Sequence, residues 1–174
     1  MTFDFSEFKN KKIIVTGSST GIGFETGVEF LNLGANVIFH GNQSINDLET
    51  RIKAKSQSQK FKIFKSDFTD LSQVDNFMNN AINYLNGLDI LVNNAGTMVG
   101  RYQLETISEK DFLKIFDLNA KSAYFATKSA CTIFKKQNYG NIINVSTISA
   151  RTGGSAGSSV YAASKAFVSG ITRS

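Results

Sequence analysis

Apolar and β-branched residues gather in five short runs along the chain, each followed by a segment with helical spacing of its apolar positions. Several runs, such as KIIVT, DILVN and NIINVS, are apolar without strict alternation, which is typical of parallel strands covered by helices on both faces. The runs lie at residues 12–16, 36–40, 60–66, 89–93 and 141–146. This alternation predicts repeated strand–helix units and therefore an α/β fold built on a doubly wound parallel sheet.

The segments between the runs predict the helices. The first predicted helix stops at Gly34, a residue that suits the left-handed conformation at a helix end. Ser108 and Asp111 have the spacing of a capping box, so a helix should begin there and continue to about Tyr124. Together with a helix from Val160 onward, the predicted helices span residues 22–33, 71–85 and 108–124.

The length and composition of the chain fit one folded domain. A chain of 174 residues can bury roughly 70% of the surface that its unfolded form exposes. Hydrophobic residues make up 41% and charged residues 19% of the chain, which are ordinary globular proportions and argue against disorder. We therefore expect residues 1–174 to form a single domain.

The formal net charge of +5 raises the question of an anionic partner. Basic residues are scattered, with pairs such as Lys11 and Lys12 at the ends of predicted elements, which argues against nucleic-acid binding. A phosphate-bearing ligand accounts for the excess equally well. The single cysteine, Cys131, excludes an internal disulfide, and no Cys or His spacing suggests a metal site. Because no apolar stretch approaches about 18 residues, we expect a cytoplasmic protein with no membrane partner.

The first predicted strand runs directly into the sequence TGSSTGIG at residues 16–23, which precedes a predicted helix. Three glycines fall where the backbone must turn tightly and approach a ligand, and the positive end of the helix would then face a phosphate. A P-loop ATPase is excluded because Phe24 and Glu25 follow the last glycine in place of Lys and Ser or Thr. The candidate pyrophosphate-binding residues are Gly17, Ser19, Thr20, Gly21, Ile22 and Gly23.

The spacing TGxxxGxG resembles that of the short-chain dehydrogenase/reductase family. Four further segments carry the same resemblance in the same order: Asp67, NNAG at residues 93–96, Asn119, and YAASK at residues 161–165. The resemblance covers nearly the whole chain and implies a Rossmann-type fold that binds NAD or NADP. It also implies hydride transfer between that cofactor and a small carbonyl or alcohol substrate, as in the 3-oxoacyl carrier-protein reductases. The further cofactor-binding residues that it implies are Asn42, Asp67, Phe68, Asn93, Ala95, Gly96, Tyr161 and Lys165.

Tyr161 and Lys165 lie four residues apart, so they share one face of the helix predicted from Val160. Their side-chain ends can therefore meet. An ammonium group beside a phenol favours the phenolate and lowers its pKa from the usual value of about 10, which lets a tyrosine act as acid and base. By the resemblance, Lys165 also binds the nicotinamide ribose, and Asn119 holds a water in the proton relay.

The resemblance also implies a hydroxyl group after the fifth strand that orients the substrate oxygen. Counting along GNIINVST places Thr147 at this position, where the family usually has Ser. The loop from there to Tyr161 is longer than the commonest pattern, so Ser146 and Ser149 stay as alternatives. The catalytic candidates are therefore Asn119, Thr147, Tyr161 and Lys165.

The stretch after the second strand, HGNQS at residues 40–44, bears on the choice of cofactor. A carboxylate there would bind the ribose 2′-hydroxyl of NAD, and a cation would accept the 2′-phosphate of NADP. No carboxylate is present to repel a phosphate, but the Arg often found near Asn42 in NADP-using relatives is missing. We expect NADP(H) to be favoured over NAD(H), and His40 to be a strand-end residue beside the adenosine pocket and not a catalyst.

The chain stops at Ser174, whereas members of the family continue through further strands and a substrate-covering loop. We therefore expect a sheet that lacks the C-terminal strands and has one edge unpaired. Two functions follow from this reading: an oxidoreductase, or its larger N-terminal part, and a catalytically inactive fragment that binds nucleotide or a partner subunit. Because family members often assemble through the helices after the fourth and fifth strands, a homo-oligomer is also expected.

Overall fold

A computed structural model describes residues 4–43 and 45–173 of the chain. Within them, five parallel strands form one sheet with the order β3-β2-β1-β4-β5. The strands are β1 Lys12–Val15, β2 Asn36–Gly41, β3 Phe61–Lys65, β4 Ile90–Asn93 and β5 Asn141–Asn144. Each coincides closely with a predicted run, so the doubly wound parallel α/β fold is confirmed.

Seven α-helices connect and cover these strands in the described part of the chain. They are α1 Gly21–Asn32, α2 Leu48–Lys55, α3 Leu71–Leu85, α4 Glu109–Phe116, α5 Ser122–Gln137, α6 Ser149–Thr152 and α7 Ser159–Ile171. Gly34 follows α1 with φ of 86°, in the left-handed region, as predicted. The sequence did not predict α2, because its 8 residues bury only Leu48 and Ile52 and give no clear helical period.

The two faces of the sheet are covered by different helices. Along β1, Ile13 and Val15 pack on one face and Ile14 on the other, as the pleat of a strand requires. The first face packs against α1 and α2, and the second packs against α3 and α5. Burial on both faces explains why the central strands are apolar at consecutive positions.

The helical region after β4 contains a wide turn. Ser108 caps α4, and its Oγ accepts the N–H of Asp111 at 3.1 Å, as predicted. In a full capping box, the Asp111 side chain would accept the backbone N–H of Ser108. Here the Asp111 carboxylate instead accepts the Ser108 hydroxyl at 2.6 Å. An uninterrupted α-helix as far as Tyr124 is wrong, since Asp117–Lys121 forms a π-helical turn between α4 and α5.

Strand β5 forms one edge of the sheet and pairs with β4 alone among the described strands. Its side chain Ile143 is 43% exposed, whereas Leu91 and Val92 on the neighbouring β4 are buried. The expected unpaired edge is therefore present in residues 4–43 and 45–173.

Candidate active site

The carboxyl ends of the parallel strands surround a cleft of about 530 Å³. Strand β1 lies at the point where the strand order reverses, which is where open α/β sheets bind their ligands. The walls of the cleft come from the loops after β1, β2, β3 and β4 and from the region around the π-helical turn. Its lining includes Ser19, Thr20, Asn42, Asp67 and Phe68 from the predicted cofactor-binding set.

The glycine loop after β1 is bound tightly to the loop after β4. The Oγ1 of Thr16 accepts the backbone N–H groups of Asn94 and Ala95, both at 3.0 Å. In return, the Asn94 side-chain amide donates to the carbonyl oxygens of Thr16 at 3.0 Å and of Gly17 at 2.9 Å. Gly17 has φ of 61°, and a Cβ there would lie 2.6 Å from the Ala95 Cα. Only glycine allows the two loops to approach so closely.

The N-terminus of α1 is available to an anion. Thr20 is the N-cap residue, and it has an extended backbone with no side-chain hydrogen bond that caps the helix. The following residues, Gly21 and Ile22, are exposed. The first-turn N–H groups and the positive end of the helix dipole can therefore stabilise a phosphate at the edge of the cleft.

Asn119 is fully buried in the π-helical turn. Its Nδ2 donates to the carbonyl oxygens of Ile115 and Thr97, both at 2.8 Å. The Ile115 carbonyl is the one that the backbone N–H of Asn119 would reach in a regular α-helix, so the side chain stabilises the widened turn. Among the described residues, the Oδ1 of Asn119 has no hydrogen-bond partner. A buried oxygen of this kind can accept a hydrogen bond from a water or a ligand.

Lys165 brings a buried ammonium group to the same place. Its side chain is almost fully buried, and its Nζ donates to the carbonyl oxygen of Val145 at 3.0 Å. Burial lowers the pKa of Lys165 from its usual value. A Cβ at Gly96 would contact Asn119 Oδ1 and would lie 2.9 Å from Lys165 Nζ. The absence of a side chain at Gly96 therefore lets these two polar groups approach the backbone of the loop after β4 closely.

Tyr161 lies one helical turn before Lys165 on α7, so the predicted shared face is present. No hydrogen bond joins the two side-chain ends among the described residues. The Lys165 Nζ donates to the Val145 carbonyl, and the Tyr161 hydroxyl makes no hydrogen bond within the described residues. The half-buried Tyr161 side chain therefore has a hydroxyl that is unengaged by protein groups.

The three hydroxyl groups proposed for the loop after β5 have different surroundings. Ser146 Oγ lies 3.1 Å from the carbonyl oxygen of Lys165 and 2.8 Å from Ser169 Oγ, so this hydroxyl is already hydrogen-bonded to α7. Thr147 Oγ1 accepts the N–H of Ser149 at 3.3 Å, which leaves its own proton free to donate. Ser149 begins the short helix α6. These contacts disfavour Ser146 and are compatible with Thr147.

Two residues of the predicted cofactor-binding set follow β3. The Asp67 carboxylate accepts the backbone N–H of Thr69 at 2.9 Å and its hydroxyl at 2.8 Å. These bonds, with the backbone bond foremost, lower the pKa of Asp67, and a hydrogen bond from the Asn42 side chain adds to the shift. Phe68 is buried, and its ring stacks on that of His40 at a centroid distance of 3.9 Å. Ser44, the last residue of the predicted cofactor-selecting stretch, lies outside the described residues.

Asn93, the first residue of the NNAG segment, connects neighbouring elements of the fold through its side-chain amide. Its side-chain Nδ2 donates to Thr127 Oγ1 on α5 and to Asn144 Oδ1 on β5, both at 2.9 Å. The Asn144 amide in turn donates to Thr172 Oγ1 at 3.0 Å. These contacts make Asn93 a link between β4, β5 and α5, while its Oδ1 has no hydrogen-bond partner among the described residues.

The family described as short chain dehydrogenase matches residues 11–174 of this chain. The chain belongs to the short-chain dehydrogenase family. A solved NADH-dependent reductase in complex with NAD has a TM-score of 0.89 and 32% identity, with 98% of this chain and 73% of that chain covered. A putative short-chain alcohol dehydrogenase from Sinorhizobium meliloti has a TM-score of 0.85 and 28% identity, with 95% and 65% covered.

Curated relatives of this chain bear the names of reductases and dehydrogenases. A hydroxynaphthalene reductase-like protein of Metarhizium acridum is 32% identical over 94% of this chain and 61% of its own length. A 3alpha-hydroxysteroid dehydrogenase of Mediterraneibacter gnavus is 34% identical over 98% of this chain and 68% of its own length. The chain thus spans 61% of the length of the Metarhizium relatives.

Two residues of the candidate site, Asn94 and Arg51, were not predicted from the sequence. Asn94, within the NNAG segment, holds the glycine loop, and its position in that segment was the available signal. Arg51 on α2 donates from Nη2 to the Ser19 carbonyl at 2.7 Å, and its guanidinium lies 4.6 Å from the centre of the Phe24 ring. The signal for Arg51 was its spacing of four residues from Asp47, an ion pair at 3.6 Å that favours a helix.

Among residues 4–43 and 45–173, every helix is too short or too polar to span a lipid bilayer. No group of three or more His, Cys, Asp or Glu residues there is arranged to hold a metal ion.

Proposed function

We propose that this short-chain dehydrogenase is an oxidoreductase that transfers a hydride between a nicotinamide cofactor and a carbonyl or alcohol carbon. The observation that carries the proposal is the close approach to Gly96 of two groups, the buried ammonium of Lys165 and the unpaired Oδ1 of Asn119. Gly96 follows Ala95, whose backbone packs against Gly17 of the glycine loop. A phosphate site and a proton-handling site are therefore joined through adjacent residues, as a dinucleotide-dependent reaction requires.

The residues of the chain would hold the cofactor and move the proton. The amides of the glycine loop and α1 would bind its pyrophosphate, and the nicotinamide would supply or accept the hydride. During reduction, the Tyr161 hydroxyl would donate its proton to the carbonyl oxygen, and Thr147 would orient that oxygen. The ammonium of Lys165 would stabilise the resulting phenolate. In alcohol oxidation, the Tyr161 phenolate would take the alcohol proton.

We propose that Lys165 and Asn119, the two groups close to Gly96, would return the proton to Tyr161 through a water. A water between Lys165 Nζ and Asn119 Oδ1 would donate to the unpaired oxygen and accept from the ammonium. Such a water would satisfy Asn119, whose Oδ1 is otherwise a buried polar atom without a partner. We therefore assign Asn119 to the relay and Lys165 to both the relay and the cofactor ribose.

The proposal is tested by titrating the purified chain with NADPH and with NADH, and by following the fluorescence of the cofactor. Saturable binding, followed by turnover of a panel of small ketones and aldehydes, is the expected result. Binding without any turnover would instead support the inactive nucleotide-binding fragment. Failure to bind either cofactor would overturn the proposal.

NADP(H) is the cofactor that we propose this protein prefers. Asn42 after β2 provides no carboxylate to repel a 2′-phosphate. We propose that Arg51 on α2 supplies the cation, because its guanidinium donates to the carbonyl oxygen of Ser19, a residue of the cleft wall. A Cβ at Gly41 would lie 2.7 Å from Ser19 Cβ, so this guanidinium lies near the end of β2, where the ribose would bind. Its planar donors suit a phosphate.

Replacing Arg51 with Gln is therefore expected to weaken NADPH binding and to spare NADH. Loss of a hydrogen-bonded charge contact costs about 1.5–3 kcal/mol, which is a rise of roughly 10- to 100-fold in the Kd for NADPH. The matched control is Lys53→Gln on the same helix, because Lys53 pairs with Glu49 at 2.5 Å. A wild-type protein that binds NADH more tightly, or an Arg51→Gln variant with unchanged NADPH affinity, would contradict the preference.

We propose a small-molecule substrate and leave its identity open within that class. Relatives are named for reactions on hydroxynaphthalene, 3alpha-hydroxysteroid and 2-dehydro-3-deoxy-D-gluconate. These compounds differ widely in shape, but each name denotes a reductase or dehydrogenase. We also propose a cytoplasmic location, which suits a nicotinamide enzyme whose single cysteine, Cys131, is a free thiol.

An exposed aromatic cluster supports assembly into a homo-oligomer. Phe167 on α7 packs against Phe116 on α4 at 5.8 Å and against Tyr124 on α5 at 6.1 Å between ring centroids. Phe167, Tyr124 and the neighbouring Phe112 are exposed. Exposed aromatic groups in contact with one another are typical of an interface. We propose that a second copy of the chain covers this cluster.

Replacing Phe167 with Ser is expected to shift the protein toward the monomer, because the variant removes the ring that contacts both Phe116 and Tyr124. Light scattering during gel filtration measures the mass directly. The matched control is Tyr84→Ser, which removes an exposed ring from α3. Equal masses for both variants, or a monomeric wild-type protein, would contradict the proposed assembly.

A further inference from the structure

His40 is a buried side chain that connects the glycine loop to the segment after β3. It lies on β2 and is only 4% exposed. Its Nδ1 accepts the backbone N–H of Gly17 at 2.9 Å, and its Nε2 lies 3.1 Å from the carbonyl oxygen of Ser66. A carbonyl oxygen can only accept, so Nε2 carries the proton and Nδ1 carries the lone pair. These two hydrogen bonds therefore fix His40 as the neutral tautomer with its proton on Nε2.

The backbone of His40 strengthens the same connection. Its carbonyl oxygen accepts the N–H of Ser18 at 2.7 Å, and its own N–H donates to Ser18 Oγ at 2.8 Å. The Ser18 hydroxyl donates in turn to the Val15 carbonyl at 2.7 Å. The turn formed by Gly17 and Ser18 is thus bound to His40 through backbone and side chain together. His40 thereby fixes the start of the loop.

The direction of the Gly17 N–H group matters for the amides that follow it. Gly17 adopts a left-handed backbone, so its peptide plane is held by contacts and not by a regular element. Without an acceptor at the ring nitrogen, this N–H would be left unpaired in a mostly buried turn, which favours rotation of the peptide. A rotated peptide would redirect the loop that ends at the N-terminus of α1.

We propose that the imidazole of His40 is a positioning residue that sets the phosphate-binding conformation of the glycine loop through its neutral Nε2–H tautomer. The inference rests on the proposed dinucleotide function and deepens it. His40 also stacks on Phe68, so the same ring supports the cleft wall and the pyrophosphate loop. The loop and the wall are therefore positioned by one side chain.

The surroundings of His40 keep it neutral. Burial lowers its pKa to about 4, although the Ser66 carbonyl and the charge of Asp67 both favour the protonated ring. The described groups that contact the ring are Gly17 from the glycine loop, Ser66 and Phe68 after β3, and Phe77 from α3. All four are uncharged, so Asp67 is the ionised group that acts on it. A protonated ring would direct an N–H group at the Gly17 N–H and break the contact.

Two substitutions separate positioning from simple packing. His40→Asn retains an acceptor near the place of Nδ1, and His40→Leu removes both ring nitrogens while it keeps apolar volume. We expect His40→Leu to raise the Kd for the better-bound cofactor by about tenfold or more, with kcat at saturating cofactor little changed. We expect His40→Asn to restore binding to within about threefold of the wild type.

The pH dependence of cofactor affinity distinguishes a hydrogen-bonding role of His40 from a packing role, because packing does not depend on protonation of the ring. Wild-type affinity should fall as the pH drops from about 6 toward 4, because the ring becomes protonated, and His40→Asn should lack this fall. Equal losses in both variants, wild-type affinity in His40→Leu, or the same acid dependence in His40→Asn would overturn the inference.

Hydrogen exchange distinguishes failure of this inference from failure of the proposed function. The exchange rate of the Gly17 amide can be measured by NMR without any ligand. It should rise in His40→Leu relative to the wild type and stay lower in His40→Asn. A wild-type chain that binds neither cofactor would overturn the proposed function, whereas unchanged Gly17 exchange in His40→Leu would overturn the role of His40.

Discussion

Replacing Gly17 with Asp is expected to abolish dinucleotide binding. Gly17 has φ of 61°, where a side chain costs about 1–3 kcal/mol, and its Cβ would lie 2.6 Å from the Ala95 backbone. The added carboxylate would also stand in the loop that should receive phosphates, and like charges repel. These effects together predict a rise of at least about 100-fold in Kd, measured by cofactor fluorescence.

The matched control for this substitution is Gly170→Asp. Gly170 lies on α7, and a Cβ there would meet nothing within 4 Å, so the same change of charge should leave binding intact. Circular dichroism would establish that both variants are folded. A folded Gly17→Asp variant that binds the cofactor as tightly as the wild type would refute the phosphate-binding role of the glycine loop.

Replacing Tyr161 with Phe is expected to lower turnover by about 10²- to 10⁴-fold, the usual contribution of a positioned acid or base. The hydroxyl of Tyr161 makes no hydrogen bond within the described residues, so its removal breaks no structural contact. Cofactor affinity should therefore change by no more than about twofold. The rate of NADPH oxidation with a carbonyl substrate measures the first effect, and a fluorescence titration measures the second.

Tyr84→Phe is the matched control for Tyr161→Phe. Tyr84 lies exposed on α3, and its loss of a hydroxyl should leave turnover unchanged. Residual activity of Tyr161→Phe close to that of the wild type would exclude the tyrosine as the acid and base. A parallel loss in Tyr84→Phe would indicate damage to the fold in place of lost chemistry.

The strands could be predicted because their signal is local. A parallel strand covered on both faces needs apolar side chains at consecutive positions, and the runs at β1 and β4 have them. Helix α2 gives a weaker signal, since it buries only Leu48 and Ile52, and four of its other six residues are charged. Because α2 was not predicted, the role of Arg51 was not predicted either. Arg51 contacts the Ser19 carbonyl only because α2 places it beside the glycine loop.

The site was predicted as a set of residues but not as a set of contacts. The spacing of Tyr161 and Lys165 identifies a common helix face. It does not predict the hydrogen-bond acceptor of the long lysine side chain, which is the Val145 carbonyl. Asn93 lies in a motif next to the cleft, yet its amide bonds to Asn144 on β5. Both choices depend on groups far away in the chain, which no local pattern records.

The position of the Asn119 side chain depends on the number of residues in the π-helical turn Asp117–Lys121. Each residue of an α-helix turns the following side chains by about 100°. Removing one residue from this turn would let α4 and α5 join as a regular helix, and would rotate one relative to the other by about that angle. Insertions and deletions in this segment would therefore misalign the Asn119 amide with Thr97 and Gly96 even when every side chain was retained.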